Sequence, residues 1–411
     1  MRIVGIIAEY NPFHNGHLYQ LRQAGQNADF VVVVLSGSFV QRGEPAAYDK
    51  WMRCQWALEA GADLVLELPA AYVLQSARGF AQGAVQTLAA AGCNALSFGT
   101  ESDDPDTLEE AARLLYDESS QFQKNLKSEL KKGKSYPRAR HAALLSSGSI
   151  QPEIASCLEK PNFLLASEYI RAIHALPEKM EILPVLRKGE AHDAALRIMP
   201  NRRSDEEDQF ASASSIRALT REDPVNPGLF KMLPEFVCDD VNHFPISDMY
   251  DLESILLYTL RNSSEERLAK IFGADEGLEH LLKRAGNCAS LDDALDTCKS
   301  KRYTRARLRR LFCAVMLHIS AELIALANEL SPPYLRVLGF REEASSLLNR
   351  ISTGDVPLIT RKREMDQLEG DARRLLALDI RATSLQALSF PDADRRIDQR
   401  DYTEPVIVWK G

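Results

Sequence analysis

The 411-residue sequence lacks a cysteine framework, long apolar runs and an excess of positive charge. Its seven cysteines are scattered, odd in number and without a CxxC pair, so neither disulfides nor a zinc site is predicted. No segment reaches the roughly 20 uninterrupted apolar residues that span a bilayer. The opening MRIVGIIAEYNP lacks the basic start and the cleavage site of a signal peptide. We therefore expect a cytoplasmic protein without a membrane partner.

The charge balance excludes one broad class of nucleic-acid-binding protein. A formal net charge of -8 argues against a chain that coats nucleic acid indiscriminately, but it permits a local basic face for one folded RNA. Hydrophobic residues make up 45% and charged residues 26% of the chain, as in ordinary globular domains. Because a chain of this length exceeds one ordinary core, two or three domains are expected.

Short apolar runs rich in β-branched residues predict parallel strands that are buried on both faces. They lie at residues 2–8, 30–37, 63–68 and 95–101, and a fifth follows a helical excursion at residues 181–187. Helical stretches separate the first four runs, at residues 17–26, 49–60 and 77–91. This alternation predicts an α/β domain with a doubly wound parallel sheet, which spans residues 1–222.

The second half, residues 223–411, is predicted to be a mostly α-helical domain. It contains little strand-like alternation, and its long amphipathic stretches lie at residues 250–272, 276–285, 303–328, 341–350 and 365–378. The final PVIVW, at residues 405–409, fits either a terminal strand or a segment docked on a core.

The sharpest motif is His14-Asn15-Gly16-His17, which directly follows the first predicted strand and opens a helix. Ligands of open α/β sheets bind at the carboxyl ends of strands, and a helix N-terminus attracts phosphate. Two imidazoles flanking a glycine can stabilise charge that develops on an α-phosphoryl group. We therefore predict a nucleotide site in which His14 and His17 are catalytic. The alternatives are a capping loop in which Asn15 caps the helix, and a zinc pair, for which no third ligand is evident.

A second anion site is predicted at Ser212-Ala213-Ser214-Ser215-Ile216-Arg217, just before another helix. Ser214, Ser215 and Arg217 offer hydroxyl and guanidinium groups to phosphates at a helix N-terminus. The alternative is a plain serine-rich N-cap, with Ser214 or Ser215 capping the helix.

The HNGH motif resembles the HxGH signature of the nucleotidylyltransferase superfamily, and the serine segment occupies the place of that superfamily's second signature. Six segments in order resemble a narrower group, the bacterial tRNA(Met) cytidine acetate ligase family. They are GIIAEYNPFHNGHLYQL, VLSGSFVQRGEPAAYDKW, GADLVLELP, SFGTE, KPNFLLASEYIRAI and FASASSIR. The resemblance is strong over residues 1–220 and continues more weakly through YTRARLRRL and PPYLRVLGF.

The resemblance implies a Rossmann-like nucleotidylyltransferase domain and a two-step reaction. Acetate and ATP give acetyl-adenylate and pyrophosphate, and the acetyl group then passes to N4 of the wobble cytidine, C34, of elongator tRNA(Met). It also implies ATP contacts at Gly99, Asn162 and Arg187 and along the loop after the first strand. That loop comprises Ile6, Ile7, Ala8, Glu9, Tyr10, Asn11, Pro12, Phe13, His14, Asn15, Gly16, His17, Leu18 and Tyr19.

The three residues outside the loop that the resemblance implies as ATP contacts each have an ordinary structural interpretation too. Gly99 lets an adenine or ribose lie against the backbone, or it is a simple turn glycine. Asn162 suits a ribose or adenine edge, or it caps a helix after Pro161. Arg187 holds a phosphate or the acetyl-adenylate, or it lies on the surface at a strand end.

The loop after the second predicted strand offers Gln41 and Arg42 as its best polar groups. They line the acid pocket or contact the tRNA, although a loop with only structural glycines fits the sequence equally well.

The helical half offers a basic segment for RNA. Arg302, Arg305 and Arg309 share one face of a predicted helix and are the candidate tRNA contacts. The alternative is a solvated helix face whose arginines pair with acidic residues such as Asp292.

Acetate is already an anion at neutral pH, so its activation needs positioning and charge neutralisation more than a strong base. We expect Mg²⁺ to bridge the ATP phosphates and to be held by phosphates and water, with no protein ligands to a metal. The main rival is a small-molecule adenylyltransferase of the same superfamily acting in cofactor synthesis, which does not need the long basic helical half. A relic site in a non-enzymatic module fits less well, because His14, Gly16, His17 and Ser215 are all present.

Overall fold

The computed structural model describes residues 1–102, 104–116, 120–134, 136–146, 154, 157–158, 160–187, 210–275, 277–300, 303–330 and 332–411. The strands are β1 Ile3–Ala8, β2 Phe30–Ser36, β3 Phe39–Val40, β4 Glu44–Pro45, β5 Leu64–Leu68, β6 Ala95–Thr100, β7 Glu181–Leu186, β8 Leu335–Arg341, β9 Leu358–Ile359 and β10 Ile407–Trp409.

Helices surround these strands throughout the described ranges. Short 3₁₀ helices lie at Met249–Leu252, Glu342–Ala344 and Ala393–Arg395. The α-helices are α1 Asn15–Gly25, α2 Lys50–Glu59, α3 Ala70–Val73, α4 Ala77–Ala90, α5 Pro105–Tyr116, α6 Ser120–Lys131, α7 Tyr136–Ser146, α8 Pro161–His174, α9 Ala213–Glu222, α10 Leu229–Met232, α11 Glu235–His243, α12 Glu253–Asn262, α13 Glu265–Leu268, α14 Leu278–Ala285, α15 Leu291–Cys298, α16 Arg305–Met316, α17 Ala321–Leu330, α18 Ser345–Ile351, α19 Lys362–Gln367, α20 Gly370–Ala387 and α21 Arg400–Thr403.

The main sheet has the strand order β10-β8-β5-β2-β1-β6-β7, and β9 pairs with β8. All its neighbouring strands run parallel except β5 and β8, which are antiparallel. Along β2, Val32 and Val34 belong to one buried cluster, whereas Val31 and Val33 belong to a second cluster on the opposite face. Because both faces are covered, the strand is apolar throughout. The predicted α/β fold with a doubly wound, mostly parallel sheet is therefore confirmed.

All five predicted strands are present, and each differs from its predicted bounds by one residue at one end. The half after residue 222 is mostly helical, as expected, but it also adds β8, β9 and β10 to the sheet. Strand β8 was not predicted, because it is a short apolar run between helical stretches. Its partner β5 is far away in the sequence. Of the two alternatives for the final residues, the terminal strand is correct. Within the described ranges, none of the helices has the length and apolarity needed to cross a membrane.

A buried cluster of charges joins the two halves of the chain beneath the β5–β8 pair. Lys50 Nζ lies 2.7 Å from Glu67 Oε1 and 2.6 Å from Asp401 Oδ1. Arg336 Nη1 lies 3.0 Å from Glu67 Oε2 and also contacts Asp401 Oδ1. The two cations balance the two carboxylates, so none of these buried charges is left without a counter-ion.

Breaking this cluster should destabilise the chain. Lys50→Met leaves the carboxylates of Glu67 and Asp401 buried beside a single cation, and such a loss typically costs about 3–5 kcal/mol. We expect the free energy of unfolding, measured by urea denaturation, to fall by about that amount. Arg2→Gln is the control, because it breaks the exposed pair with Glu181 on the same sheet and should change stability by less than about 1 kcal/mol. Equal effects of the two substitutions would contradict the assigned role of the cluster.

Candidate active site

A cavity of about 1000 Å³ opens at the carboxyl ends of β1, β6 and β7. Its walls come from the end of β1, the start of α1, the β3–β4 hairpin and helices α4, α8, α9 and α16. Helix α16 belongs to the C-terminal half, so both halves of the chain contribute to the cavity. This is the position where open α/β sheets bind their ligands.

The two motif histidines form the N-terminal cap of α1. His14 Nδ1 accepts a hydrogen bond of 3.1 Å from the Gly16 amide, and His17 Nδ1 accepts one of 3.3 Å from the His14 amide. The rings stack with their centroids 3.7 Å apart. Because each Nδ1 accepts, the proton of each neutral ring lies on Nε2. Both rings line the cavity, so each can offer an Nε2–H donor to a ligand there.

The alternative in which Asn15 caps α1 is wrong, because His14 is the N-cap residue. The Asn15 side chain donates instead to the carbonyl oxygen of Lys231. Burial, together with the nearby His14 and Arg187, lowers the pKa of His17 well below the ordinary value of 6.5. His17 is therefore neutral at pH 7, and its ring can offer an N–H donor but no positive charge.

The three outlying residues of the predicted ATP site meet on one wall of the cavity. Gly99, Asn162 and Arg187 all line it, and a Cβ on Gly99 would lie 3.6 Å from Arg187 Cγ. Asn162 Nδ2 donates to Glu101 Oε1 over 2.7 Å, and Asn162 lies inside α8, whose N-cap is Lys160. The alternative with Asn162 as the cap is therefore wrong.

Glu101 is a residue that the sequence analysis did not single out, although it ends the SFGTE segment. Its carboxylate can only accept hydrogen bonds, so the amide nitrogen of Asn162 must face it and the amide oxygen must point elsewhere. Its charge also favours the cationic form of Arg187, whose pKa burial lowers.

The N-cap residue of α9 is Ser212. The alternative in which Ser214 or Ser215 caps this helix is therefore wrong. The Ser212 hydroxyl accepts from the Ser215 amide and lies 2.8 Å from the Ser215 hydroxyl. Ser214 lines the cavity, where its hydroxyl accepts from Arg42 Nη1. Arg217 also lines it and donates to the carbonyl oxygen of Asn11 over 2.7 Å. Ser214 and Arg217 are thus at the cavity, whereas Ser215 is engaged with the cap.

Glu44, in β4, links the N-terminal loops to helix α16. Its two carboxylate oxygens pair with Arg217 Nη2 at 2.9 Å and with Arg309 Nη1 at 3.0 Å. Next to it, Gly43 has φ +80°, and a Cβ there would lie 2.3 Å from the Arg310 amide nitrogen. Only glycine allows so close an approach of the hairpin to the helix backbone.

Side chains in and just before helix α16 face the cavity, and they are not the residues predicted to contact tRNA. Tyr303, Arg307 and Arg310 line it, and Arg310 donates to the carbonyl oxygen of Gln41 over 3.1 Å. Arg305 is exposed and paired with Asp292, as the solvated-face alternative expects. Arg302 lies outside the described residues. Arg307 and Arg310 follow Tyr303 by four and seven residues, which is the spacing of residues on one helix face. That spacing was the sequence signal for the face that lines the cavity.

The two arginines of α16 that face the cavity, Arg307 and Arg310, have different surroundings. Burial and the nearby Arg307 lower the pKa of Arg310 to about 10, which leaves its guanidinium charged at neutral pH. The Arg307 guanidinium lies over the Tyr303 ring, 4.6 Å from its centroid. A cationic and aromatic surface therefore faces the cavity from the C-terminal half.

The cavity and its histidine cap define a nucleotide-transferring enzyme of the HxGH type. The sequence model of the HIGH Nucleotidyl Transferase family matches residues 1–401, and the chain belongs to this family. The crystal structure of Thermotoga maritima TmcAL bound with alpha-thio ATP matches the full length of both chains with a TM-score of 0.88 and 32% sequence identity.

Sequence comparison shows which narrower family the chain belongs to. A tRNA(Met) cytidine acetate ligase of Halothermothrix orenii is 34% identical over 434 residues, which cover 99% of each chain. The Thermotoga maritima ligase of that name is 35% identical over 429 residues, covering 97% of this chain and 99% of its own length. The chain therefore belongs to the tRNA(Met) cytidine acetate ligase family, and the predicted family resemblance is confirmed.

Adding one methyl group to the histidine loop should impair the site. A Cβ on Gly16 would lie 2.9 Å from Cε1 of the His14 ring, so Gly16→Ala must displace that ring. Losing a hydrogen bond to a charged phosphate is worth about 1.5–3 kcal/mol. We therefore expect the Kd for ATP, measured by calorimetry, to rise at least about tenfold.

Gly25→Ala, on the same helix, is the matched control. Its new Cβ would meet Val31 Cγ2 at an ordinary 3.8 Å, so ATP binding should not change. Unaltered ATP binding by Gly16→Ala would show that the position of the His14 ring is unimportant for the nucleotide.

Proposed function

We propose that this enzyme activates acetate with ATP and transfers the acetyl group to N4 of the wobble cytidine, C34, of elongator tRNA(Met). The observation that carries the proposal is the cavity, which combines the histidine cap of α1 with cationic side chains from both halves of the chain. Full-length similarity to named tRNA(Met) cytidine acetate ligases favours this function over a small-molecule adenylyltransferase. Acetate, ATP and the tRNA are the substrates, and N4-acetylcytidine is the product.

In the first step, ATP binds with its phosphates at the N-terminus of α1. The Nε2–H groups of His14 and His17 donate to the α-phosphoryl oxygens, where charge develops as acetate attacks in line. Ser214 and Arg217 hold the outer phosphates, which leave as pyrophosphate. The remaining ATP contacts are made by residues 6–19 and by the wall formed by Gly99, Asn162 and Arg187.

Among the described residues, no group of three or more His, Cys, Asp or Glu side chains is placed to hold a metal ion. We propose that Mg²⁺ enters only with ATP, held by its phosphates and water.

In the second step, the wobble base must leave its stack to reach the acetyl-adenylate. Tyr303 and Arg307 offer a ring and a guanidinium against which an unstacked base can lie. We propose that residues 223–411 supply the tRNA contacts and residues 1–222 the ATP site. Arg302, Arg305 and Arg309 remain the proposed contacts to the RNA backbone. A tRNA substrate is available in the cytoplasm, which is the proposed location.

The reaction is tested by measuring pyrophosphate release from ATP with acetate, followed by mass analysis of the nucleosides of the tRNA. We expect acetate-dependent release and an acetylated wobble cytidine. His14→Ala and His17→Ala should each abolish adenylate formation without unfolding the chain, because each removes a donor to the reacting phosphate. His280→Ala, an exposed histidine outside the cavity, is the control. Turnover of a phosphorylated metabolite in place of acetate would assign the chain to the small-molecule adenylyltransferases.

Arg305 offers a separate test of RNA binding. Its surface ion pair with Asp292 contributes little, so the guanidinium can exchange that partner for a phosphate. Arg305→Gln should weaken binding of tRNA(Met) and lower the slope of log K against log salt by about one unit. Adenylate formation without tRNA should be unaffected. Arg374→Gln breaks a comparable surface pair on α20, with Glu322, and should leave the slope unchanged. The same slope for Arg305→Gln as for the wild type would exclude a phosphate contact.

A further inference from the structure

The second step of the proposed reaction needs a proton acceptor, and this inference rests on that proposed function. The N4 lone pair of cytidine is delocalised into the ring, so the amine is a poor nucleophile. When N4 attacks the acetyl carbonyl, it develops positive charge and must lose a proton. A positioned base accelerates such transfers by about 10²–10⁴-fold.

The histidines of the cavity are not suited to this role. The Nδ1 atoms of His14 and His17 each accept a backbone amide hydrogen bond, which places the proton on Nε2. A ring in that state donates a proton rather than accepting one. Tyr10 is equally unsuited, because burial raises the pKa of its phenol above the ordinary value of 10.

Three carboxylates line the described part of the cavity, at positions 9, 44 and 168. Both oxygens of Glu44 are engaged, one by Arg217 and the other by Arg309. Glu168 lies on α8 and pairs with Arg171 over 3.5 Å. It is also held electrostatically by Arg78 and Arg140, so its charge serves as a counter-ion to arginines.

Glu9 is placed differently from the other two carboxylates. It directly follows β1 and precedes the histidine cap, at the end of the sheet where the α-phosphoryl group would lie. Its Oε1 accepts a 2.6 Å hydrogen bond from the Gln41 amide, which fixes the carboxylate. Among the residues that the structure describes, its Oε2 has neither a hydrogen-bond nor an ion-pair partner.

We propose that Glu9 is the general base of acetyl transfer, accepting the N4 proton of the wobble cytidine through Oε2. N4 bonds to the carbonyl carbon, the bond from that carbon to the AMP oxygen breaks, and AMP leaves with the electron pair. The proton passes from N4 to Glu9 and then to solvent, so the products are the N-acetyl base, AMP and one proton.

The electrostatic surroundings of Glu9 agree with this role. Burial raises the pKa of its carboxyl group, while the Gln41 amide and the guanidinium groups of Arg42 and Arg217 oppose the rise and Glu44 adds to it. A carboxylate with a raised pKa is a stronger base than an ordinary one. The two arginines also limit its repulsion of acetate and triphosphate in the first step.

The test separates acetyl transfer from adenylate formation. Synthetic acetyl-adenylate is supplied to the wild type, Glu9→Gln, Glu9→Asp and Glu168→Gln, with tRNA(Met) as acceptor in single turnover. In parallel, the adenylate that each enzyme forms from acetate and ATP is trapped with hydroxylamine, a strong nucleophile that needs no base. We expect Glu9→Gln to lose at least about 100-fold in transfer relative to trapping. Glu9→Asp, which keeps a carboxylate, should lose less.

Three results would overturn the proposal. They are equal losses of transfer and trapping in Glu9→Gln, transfer by Glu9→Gln at the wild-type rate, and a selective loss in Glu168→Gln instead. A failure of the proposed function itself is recognised separately, because the wild type would then form no acetate-dependent hydroxamate.

Discussion

The buried charge cluster beneath β5 and β8 is the constraint on which the arrangement of the two halves depends. Lys50 and Glu67 come from the N-terminal half, whereas Arg336 and Asp401 come from the C-terminal half. Two contacts cross between the halves, Lys50 with Asp401 and Arg336 with Glu67. A displaced C-terminal half would break both contacts, and buried charges that lose their partners are strongly unfavourable. The cluster therefore requires β8 and α21 to dock on the sheet in one position.

That docking also determines the shape of the active-site cavity. With β8 at the side of β5, helix α16 reaches the β3–β4 hairpin, where Gly43 touches its backbone and Glu44 pairs with Arg309. Glu44 simultaneously holds Arg217, which in turn donates to the carbonyl oxygen of Asn11 in the histidine loop. One chain of contacts thus runs from the ATP loop to the proposed RNA-binding helix, so the position of each depends on the other.

The local features of the fold and site could be predicted from the sequence because their signals are local. The apolar runs predicted β1, β2, β5, β6 and β7, and the spacing of His14 and His17 indicated the loop that lines the cavity. The missed features depend on partners distant in the chain. Strand β8 pairs with β5, which is far away in the chain, and Glu44 lies 265 residues from Arg309. The periodicity of apolar residues along a sequence does not indicate contacts between distant segments.

Helix α16 shows what an amphipathic pattern leaves open. The density of arginines identified it as a basic helix, but its amphipathic pattern does not say which basic residues face the cavity. The face that contains Arg307 and Arg310 is determined by where the Gly43 backbone meets the helix, which is a tertiary contact. Likewise, the role of Glu101 depends on its contact with Asn162, 61 residues away.

The distribution of charge places a cationic cavity in an acidic protein. The chain carries a formal net charge of -8, yet Arg187, Arg217 and Arg310 all line the cavity. A concave site focuses the field of these guanidinium groups, which attracts anions to the cavity. Because burial, together with the nearby His14 and Arg187, lowers the pKa of His17, the ring is neutral and offers a directed donor without further charge. The cavity therefore differs in charge from the chain as a whole.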